Sequence, residues 1–509
     1  MTMTPEQIVA WLHQHVTSAE LSSDSRHVSP GDVFFAYPGD MADGRAYIAD
    51  AVKRGAAAVV YEATATSGNP LHAVPSMAIT GLKQQAGPIA SLWYRHPDAA
   101  MLSVAVTGTN GKTSSSQWLA SALSRLAGPS AVIGTLGTGL YRHGVVEQLA
   151  DTGYTTPDAV LLQRRVRDAR DAGATALAIE ASSIGLDQGR LNGLHIDTAL
   201  LTNLTRDHLD YHGDMASYEA AKTALFGWPG LRSAVLNLDD PVGLRLCARL
   251  QDRAPQVVLT GYSLQPQTLA GLTILVATDL RTSDTGTTFN LTIGNVVIPV
   301  KTQLVGEFNV SNVLGVIGVL LANGYVLGAV IEAVAALTAV PGRMQQFGGQ
   351  DAPLVVIDYA HTPDALEKTL TTLNQVAYQR NGRLWCVFGC GGDRDAGKRP
   401  QMGAAAMLAE QIIVTSDNPR TEVPSSIIAQ VLAGVDRSDS SRAAPVVIED
   451  RAAAISWAVR HAGDNDVILL AGKGHEDYQE IHGRKLPFLD ADHTALALAT
   501  RATNKGHAA

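Results

Sequence analysis

Cysteine is scarce in this 509-residue sequence, whose cysteines are Cys247, Cys386 and Cys390. Three cysteines are too few for the disulfide framework of a small secreted domain. No Cys/His pair stands near Cys386 and Cys390 at the spacing of a zinc finger. We therefore expect all three side chains to be buried thiols.

Positive charge is not in excess, because 39 Lys and Arg residues face 48 Asp and Glu residues and give a formal net charge of −9. This balance argues against a broad surface for nucleic acid, so anionic ligands would need local pockets. The sequence also lacks an apolar run that could span a membrane. Its most apolar stretch, 313–340, is interrupted by Asn323, Gly324 and Glu332, and it predicts two buried helices.

The N-terminal segment MTMTPEQIVAWLHQH has no basic region followed by an apolar core, which is the pattern of an export signal. The segment predicts instead a short helix that begins after Thr4 and Pro5. The expected compartment is therefore the cytoplasm.

The chain is longer than one hydrophobic core usually supports, and its length predicts about three domains. Residues 1–97 contain short strands between turn-forming segments, which is typical of a small α/β unit. Residues 98–340 and 341–509 each alternate apolar strands with helical patterns, which predicts mainly parallel sheets. We expect an α/β fold with a small N-terminal domain, a central P-loop-type domain and a C-terminal Rossmann-like domain.

Four strands predicted in the last domain are each followed by Gly, His or charged residues. These loops are HTPD at 361–364, CGGDRDAGKRP at 390–400, DNPRTE at 417–422 and GKGHED at 472–477. Ligands of open α/β sheets bind at the carboxyl ends of the strands. The pattern therefore predicts one site that collects these loops.

A phosphate-binding loop is predicted at 106–113, VTGTNGKT, because the segment follows a strand and precedes an amphipathic helix. The loop amides could cradle phosphates, Lys112 could reach the β and γ oxygens, and the Thr113 hydroxyl could bind Mg²⁺. Val106 stands where the strict consensus has its first glycine, so a Gly-Lys turn without a ligand is the alternative. Glu180 ends the apolar strand 175–180, where it could hold the metal or stand in solvent.

Several motifs together resemble the Mur ligase superfamily over nearly the whole chain. They are TGTNGKTS, TTP at 155–157, NLTRDHLDYHG at 203–213, GEFNVSN at 306–312 and PGRMQ. A second set, DSR at 24–26, DYAHTPD, GCGGDRDAGKRP, DNPR and GKGHE, is similar to the members that add diaminopimelate. The resemblance implies a first domain that binds a UDP-sugar, a second that binds ATP and a third that brings the amino acid.

The implied reaction is a step of peptidoglycan precursor synthesis. Its substrates would be UDP-N-acetylmuramoyl-L-alanyl-D-glutamate, meso-diaminopimelate and ATP, with two Mg²⁺ ions as cofactors. The D-glutamate γ-carboxylate would attack the γ-phosphate, and the amine would displace phosphate from the resulting acyl phosphate. We expect a monomer with no nucleic-acid partner and no membrane span.

The resemblance also assigns residues. ATP would contact Gly108, Thr109, Asn110, Gly111, Lys112, Thr113, Ser114, Asn309, Arg343, Asp358 and His361. The UDP-linked peptide would contact Ser25, Thr155, Thr156, Ser182, Gln188 and Arg190. The amino acid would contact Arg394, Asp417, Asn418, Pro419, Arg420, Gly472 and Glu476. The metals would be held by Thr113, Glu180, His208 and Lys222, and the catalytic residues would be Lys112, Glu180, His208 and Lys222. Taken singly, many of these polar residues are also common as caps and in turns.

Lys222 would react with CO₂ and bind metal as a carbamate. Periodicity supports a special role, because Lys222 shares a helical stripe with Tyr218 and Leu225. Burial disfavours the ammonium, and a neutral amine is the form that attacks CO₂. His208, which Asp207 precedes, could otherwise be a helix-start residue with charged neighbours.

Arg420 bears on the choice of amino acid, because diaminopimelate is a lysine with an added distal carboxylate. A guanidinium can donate two parallel hydrogen bonds to that carboxylate, whereas it would repel the bare ammonium of lysine. Glu476 is suited by charge to the distal ammonium. A salt bridge between Arg420 and Glu422 is the alternative.

Three positions depart from the commonest pattern of the family. Ile184 stands in place of a His, Ala396 in place of a basic residue and Gln345 in place of Glu. Competing hypotheses are a ligase like folylpolyglutamate synthase, a lysine-adding ligase and a nucleotide-dependent regulator without ligase activity. DNPR and DSR argue against the first, Arg420 against the second, and the set Lys222, His208 and Glu180 against the third.

Overall fold

A computed structural model describes residues 3–39, 42–63, 73–150, 153–436 and 443–506. Over these ranges the strands form three mainly parallel sheets and a two-stranded hairpin. The predicted α/β class is therefore confirmed. No helix of the described ranges is long and apolar enough to cross a membrane.

The first unit is a parallel sheet of four strands in the order β1-β2-β3-β4. Its elements are α1 Pro5–His15, β1 Leu21–Ser22, β2 Val33–Ala36, α2 Ile48–Lys53, β3 Ala58–Glu62, β4 Ser76–Ile79 and α3 Leu82–Trp93. Helix α1 begins where the sequence predicts, because Thr4 and Gln7 form a capping box and Pro5 stands in the first turn.

The central unit begins with the predicted phosphate-loop strand and helix. Its first elements are β5 Leu102–Thr107, α4 Lys112–Leu126, β6 Ser130–Gly134, β7 Gly137–Arg142, β8 Val145–Ala150, α5 Ala159–Asp171, β9 Ala176–Glu180, α6 Ser183–Asp187 and β10 Thr198–Leu201. They continue with α7 Leu209–His212, α8 Met215–Thr223, β11 Ser233–Asn237, α9 Pro241–Arg253, β12 Val258–Ser263, β13 Thr273–Ser283, β14 Gly286–Ile293, β15 Val296–Thr302, α10 Glu307–Ala322 and α11 Leu327–Ala335.

The central sheet has the order β15-β14-β13-β12-β11-β10-β5-β9-β6-β7-β8. Strands β14 and β15 at one edge, and β7 and β8 at the other, pair antiparallel, whereas the strands between them are parallel. The apolar stretch 313–340 contributes to two helices, α10 and α11, which pack with α4 on one face of the sheet. Helix α10 is buried as the sequence predicts, whereas α11 buries only the face of Val330, Ala333 and Val334, because its other face meets solvent. The opposite face packs against α5 and α9.

The third unit has a sheet of order β16-β17-β21-β18-β19-β20, in which β16 is antiparallel. Its elements are β16 Gln345–Gly348, β17 Leu354–Asp358, α12 Pro363–Gln379, β18 Leu384–Phe388, α13 Lys398–Ala406, β19 Gln411–Val414, α14 Pro424–Leu432, β20 Val446–Val447, α15 Arg451–His461, β21 Val467–Ala471, β22 Tyr478–Ile481, β23 Arg484–Pro487 and α16 Asp490–Gly506. Strands β22 and β23 form the separate hairpin.

The chain order of the central strands creates a crevice beside β5. After β5 the chain crosses to β6, returns to β9 between the two, and then places β10 on the other side of β5. Such a switch opens a crevice at the carboxyl ends of the strands. The loop after β5 and Glu180 at the end of β9 lie at this edge. The domain boundaries at residues 97 and 340 stay predictions.

All three cysteines are buried and free, as predicted. Cys247 lies in α9 and Cys386 in β18, where burial raises the pKa of each thiol. They contribute to the hydrophobic cores of their units.

Candidate active site

A cavity of about 1640 Å³ lies where the three units meet. Its lining includes Ser25 from the first unit, Lys112 and Glu180 from the central unit, and Asp358 and His361 from the third. Side chains that are more than three hundred residues apart along the chain therefore line one cavity and could contact the same ligands.

Glycines give the loop between β5 and α4 its close approach to neighbouring segments. A Cβ atom on Gly108 would lie 1.8 Å from Thr202 Oγ1, and one on Gly111, whose φ is +86°, would lie 2.3 Å from Asn312 Oδ1. Neither position tolerates a side chain without a shift. The amides of Thr109 and Asn110 donate to Asn203 O and Asn203 Oδ1, both at 2.9 Å, so phosphate oxygens would meet the amides at the start of α4.

Lys112 folds back over this loop, because its Nζ donates to Gly108 O and Thr109 O, both at 2.9 Å. Burial lowers the pKa of Lys112, although the charge of Glu180 opposes the shift. Its amine therefore lies over the loop that would hold phosphates, and both carbonyl bonds would be exchangeable for phosphate oxygens.

Glu180 is completely buried, which excludes the alternative of a strand-end carboxylate in solvent. Its Oε2 accepts from Thr113 Oγ1 at 3.1 Å and from Thr135 Oγ1 at 3.0 Å, and its Oε1 accepts from Thr135 N at 2.8 Å. Thr135 follows β6 directly and was not among the predicted site residues. A Cβ on Gly134 would lie 2.2 Å from Glu180 Oε1, so this glycine leaves room for the carboxylate.

Lys222 is buried in α8 with an exposed fraction of 1%, as its helical stripe predicts. Its Nζ donates to Gly108 O at 2.7 Å and lies 4.6 Å from the centre of the Tyr218 ring. Burial holds the pKa of Lys222 well below its usual range, and the nearby charge of Lys112 lowers it further. The amine is therefore predisposed to be neutral.

His208 immediately precedes the short helix α7 and has a positive φ of +52°, so it is in part the helix-start residue considered above. Its Nε2 lies 3.6 Å from Asp207 Oδ2, and His361 Nε2 approaches the same oxygen at 3.9 Å. Desolvation in the cavity lowers the pKa of His208 to about 4 although 45% of its side chain is exposed, so the neutral imidazole, which can bind a cation, is favoured at pH 7.

The donor set at this edge fits Mg²⁺ held with the help of a nucleotide. The described residues contain no group of three or more His, Cys, Asp or Glu that could hold a metal by themselves. Mg²⁺ commonly takes only one or two carboxylates and completes its shell with water and phosphate oxygens. The buried Glu180 carboxylate, 3.1 Å from the Thr113 hydroxyl, provides such a partial set.

The third unit reaches over the phosphate loop. Arg343 Nη2 lies 3.3 Å from Thr113 Oγ1, and its guanidinium stacks 4.2 Å from the centre of the Tyr359 ring. Asn110 Nδ2 also contacts Asp364 Oδ2 at 3.4 Å. These contacts bring a cation and the start of α12 to the loop.

The other predicted nucleotide contacts lie around the same cavity. Asp358 Oδ2 accepts from Met344 N at 2.9 Å, and burial raises its pKa. His361 Nδ1 is 2.8 Å from Tyr359 O, and Asn309 Nδ2 donates to Val305 O at 2.9 Å.

The predicted sugar-peptide residues also line this cavity. They are Ser25, Thr155, Thr156, Ser182, Gln188 and Arg190. Thr156 Oγ1 donates to Glu180 O at 2.7 Å, and Arg190 donates to Thr156 O at 2.8 Å and to Gln188 Oε1 at 2.7 Å. The Ser182 side chain caps α6. Apart from Ser25, these side chains form one hydrogen-bonded wall next to the buried carboxylate, which Thr155 joins through Thr135.

The predicted amino-acid residues form a second cluster in the third unit. Arg394 lines the large cavity, whereas the lining does not include Asp417, Asn418, Pro419, Arg420, Gly472 or Glu476. The DNPR and GKGHE loops meet directly, because Asn418 Nδ2 donates to Glu476 Oε2 at 2.7 Å. HTPD instead faces the central unit, so the four loops divide between the cavity and this cluster.

Arg420 joins three segments of that cluster. Its Nη1 donates to Gly392 O at 2.6 Å, and its Nε lies 3.5 Å from Glu480 Oε2 on the hairpin. Glu422 pairs with Arg399 at 2.7 Å, so the predicted alternative of an Arg420–Glu422 salt bridge is wrong.

Asp417 and Gly472 are packed against each other in the same cluster. A Cβ on Gly472 would lie 2.5 Å from Asp417 Oδ2, and the φ of Gly472 is +109°. Burial raises the pKa of Asp417. This close approach requires glycine at position 472.

Three family models match the chain. The Mur ligase middle domain matches residues 106–320, the Mur ligase glutamate ligase domain matches 342–474, and the Mur ligase family catalytic domain matches 18–84. A curated relative from Janthinobacterium sp. (strain Marseille), a UDP-N-acetylmuramoyl-L-alanyl-D-glutamate--2,6-diaminopimelate ligase, is 62% identical over 494 residues, which are 97% of each chain. The chain belongs to the Mur ligase family.

Solved structures of Mur ligases share the fold. A UDP-N-acetylmuramoyl-L-alanyl-D-glutamate--2,6-diaminopimelate ligase matches with a TM-score of 0.66 and 38% identity, over 95% of each chain. The MurF ligase of Thermotoga maritima, solved in complex with ADP, matches with a TM-score of 0.65 and 16% identity over 96% of this chain and 98% of that one. The second likeness concerns the fold alone.

The three departures from the commonest Mur ligase pattern have different surroundings. Ile184 lines the large cavity from α6, so an apolar side chain stands where the family pattern has an imidazole. Ala396 is exposed. Gln345 Oε1 accepts from Gly342 N at 2.9 Å and thereby fixes the turn before β16.

Some residues of this Mur ligase site escape sequence reasoning. Thr135 holds Glu180, and the cavity is also lined by Asn237, the last residue of β11, and by Asp239 just beyond it. Lys473 lies within the predicted GKGHE loop, but only its contacts with Asn418 and Glu476 show that it belongs to the amino-acid cluster. For Asn237 and Asp239 the available signal is their position at the carboxyl end of an apolar strand.

Proposed function

We propose that this Mur ligase joins meso-diaminopimelate to the D-glutamate γ-carboxylate of UDP-N-acetylmuramoyl-L-alanyl-D-glutamate and converts ATP to ADP and phosphate. The observation that carries the proposal is the convergence of Lys112, Glu180 and Lys222 on one loop beside a cavity that all three units line. The 62% identical relative carries the name of this ligase.

The reaction has two steps, transfer of a phosphoryl group to the carboxylate and then displacement of phosphate by the amine. A γ-carboxylate oxygen attacks the γ-phosphorus of ATP, the bond to the bridging oxygen of ADP breaks, and an acyl phosphate forms. The free amine of diaminopimelate then attacks the acyl carbon, inorganic phosphate leaves, and the amine nitrogen loses a proton. Each reactant is anionic, so the protein must mainly position them and neutralise charge.

Cations of this chain would supply part of that neutralisation. Lys112 would exchange its carbonyl partners for β and γ oxygens, and Arg343 would approach the phosphates from the third unit. The loop amides at 108–114 would cradle the phosphates. Asp358, His361 and Asn309 would contact the nucleoside side of ATP.

Thr113 and Glu180 would hold one Mg²⁺, and His208 and a carbamate on Lys222 would hold a second. The ions would supply positive charge opposite the phosphate oxygens. Carbamate formation joins the neutral Lys222 amine to CO₂ and releases one proton. Its product supplies oxygen donors, which suit a hard cation. The lowered pKa of Lys222, caused mainly by burial, supports this modification.

Substrate recognition would be divided between the two clusters. Ser25 would contact the UDP moiety, and the wall formed by Thr155, Thr156, Ser182, Gln188 and Arg190 would hold the sugar-peptide. Arg420 would bind the distal carboxylate of diaminopimelate, and Glu476 would bind its distal ammonium. Asn418 would orient Glu476 through their hydrogen bond.

The deciding experiment measures phosphate release from ATP in the presence of the UDP-muramoyl dipeptide, with meso-diaminopimelate or L-lysine as the amine. We expect release with diaminopimelate and little with L-lysine. Equal or lysine-preferred release would leave the ligase but contradict the role of Arg420.

An absence of release with either amine would overturn the proposed function. The remaining hypotheses would then be a folate-type ligase, tested with folate and glutamate, and a nucleotide-dependent regulator, tested by ATP binding without turnover. The match of a Mur ligase family model to 18–84 in the first unit favours the UDP-linked substrate over both.

A further inference from the structure

The third unit buries the cationic side chains of Arg399, Arg451 and Lys473 almost completely. A buried charge is costly unless it is paired and hydrogen-bonded. Arg399 pairs with Glu422 at 2.7 Å and Arg451 with Asp490 at 2.6 Å, and neither carboxylate belongs to the proposed amino-acid pocket. Lys473 differs, because its partners are pocket residues.

The Lys473 amine has three acceptors within reach. Its Nζ donates to Asn418 Oδ1 at 3.2 Å, to Glu476 Oε2 at 3.1 Å and to Tyr478 O at 2.5 Å. An ammonium has three N–H donors and no acceptor, so these three oxygens match its hydrogen-bonding capacity. The side chain therefore connects the DNPR loop, the GKGHE loop and the hairpin.

These contacts decide which way the Asn418 amide points. Asn418 Oδ1 accepts from Lys473 Nζ and also from Glu480 N at 2.9 Å, so the amide nitrogen faces Glu476 Oε2 at 2.7 Å. A flipped amide would set its NH₂ against an ammonium and a backbone N–H. Both donors to Glu476 engage Oε2, which leaves Oε1 available to a ligand ammonium.

We propose that Lys473 is a positioning residue for diaminopimelate, whose buried amine fixes Asn418 and Glu476 in the orientation that receives the distal end of the ligand. This inference rests on the proposed function. Lys473 touches no reacting atom in this arrangement and acts through its two neighbours. Its positive charge also opposes the effect of burial on Asp417, so the pocket keeps a balance of charges.

Replacing Lys473 by Met removes the three donors and keeps the length of the side chain. We expect KM for diaminopimelate to rise roughly ten- to hundredfold, since small misplacements of binding groups have effects of this size. KM for ATP and for the UDP-linked peptide should change by less than about threefold, and kcat at saturating diaminopimelate should stay near wild type. Lys485→Met is the matched control, because this exposed lysine lies on the hairpin that Lys473 contacts, 4.0 Å from the Tyr478 ring centre.

A double-mutant cycle tests whether Lys473 acts through Glu476. If it does, Lys473→Met/Glu476→Gln should raise KM for diaminopimelate no more than the worse single variant. The inference would be overturned if the fold-increase in KM of the double variant were the product of the two single increases. Equal increases in the KM values of all three substrates would likewise indicate a general structural role. Thermal unfolding is measured for every variant, and Lys473→Gln replaces the methionine variant in the cycle if the latter does not fold.

The wild-type control separates this inference from the proposed function. If the wild-type protein shows no diaminopimelate-dependent phosphate release, the proposed function itself fails. If it does, and Lys473→Met keeps the wild-type KM for diaminopimelate, only the role of Lys473 is contradicted.

Discussion

At the scale of single residues, two lysine amines share one backbone acceptor. Lys112 Nζ and Lys222 Nζ donate to Gly108 O at 2.9 and 2.7 Å. Burial lowers the pKa of both, and for Lys222 the charge of Lys112 adds to the effect. Conversion of Lys222 into an anionic carbamate would replace repulsion between the two by attraction, which gives the modification a physical reason at this position.

Lys222→Ala tests that reason. We expect the rate of diaminopimelate-dependent phosphate release to fall by roughly a hundredfold or more, because a preorganised charged group near the phosphates is lost. Short-chain carboxylates should restore part of the rate by supplying the missing oxygens. Lys301→Ala, at an exposed position in β15, is the control and should keep full activity. Full activity in Lys222→Ala would remove the carbamate from the proposal.

At the scale of elements, the phosphate loop depends on what surrounds it. Gly111 stands immediately before α4, in a left-handed conformation, with Asn312 of α10 against it. The Asn312 side chain of α10 thus occupies the space next to Gly111 and limits how the loop can be positioned. The sequence motif predicts a glycine at this position, but only the packing of α10 shows that Asn312 fills the space that a side chain at 111 would need.

Gly111→Ala should lower the free energy of unfolding by about 1–3 kcal/mol, from the strained φ and the contact with Asn312. It should also raise KM for ATP, because relief of the clash moves the loop. Gly328→Ala is the matched control: its Cβ would meet nothing within 4 Å, and its φ is not in the left-handed range. Thermal or denaturant unfolding and ATP titration measure both effects, and equal behaviour of the two variants would contradict the argument.

At the scale of the whole molecule, acid stability depends on histidines held neutral in two units. Burial lowers the pKa of His475 to about 3, and the charges of Arg343 and Lys473 add to that shift. The pKa of His208 is also lowered, to about 4, but 45% of its side chain is exposed, so solvent weakens its effect on stability. An unfolded histidine binds its proton near pH 6.5. Unfolding therefore takes up protons between pH 6.5 and these lower values. The stability that the neutral histidines contribute to the folded state is complete above pH 6.5 and is lost as the pH falls.

The melting temperatures of wild type and His475→Gln, measured as a function of pH, test how His475 contributes to acid stability. The difference, wild type minus variant, should grow as the pH rises from about 4 to about 7 and then level off. The comparison isolates His475, because buried Asp358 and Asp417, whose raised pKa values act in the opposite direction with pH, are present in both proteins. A difference that stays constant over this range would contradict the shift.

The cavity itself is also a property of the whole molecule. Arg343 meets Thr113, and Asp364 meets Asn110, across the contact of the third and central units. The first unit adds Ser25 to the same lining. The complete set of lining residues therefore exists only when the three units stand together.

The sequence predicts much of this arrangement from local patterns. The apolar strands, the phosphate loop before α4, the two helices in 313–340 and the burial of Lys222 all follow from periodicity and turn residues. These signals lie within a few neighbouring residues, so a single chain displays them. The antiparallel edges formed by β7, β8, β14 and β15 were not predicted, because their pairing depends on partners in the finished sheet.

What the sequence by itself determined is the α/β class, the Mur ligase motifs and the residue types that can bind phosphate, metal and an amino acid. Only the tertiary structure decided that Thr135 holds Glu180, that Glu422 pairs with Arg399 and that Lys473 orients Asn418. Each of these contacts joins separate loops whose distance along the chain carries no signal. Their energies depend on burial and on hydrogen-bond geometry, and both exist only after the loops have met.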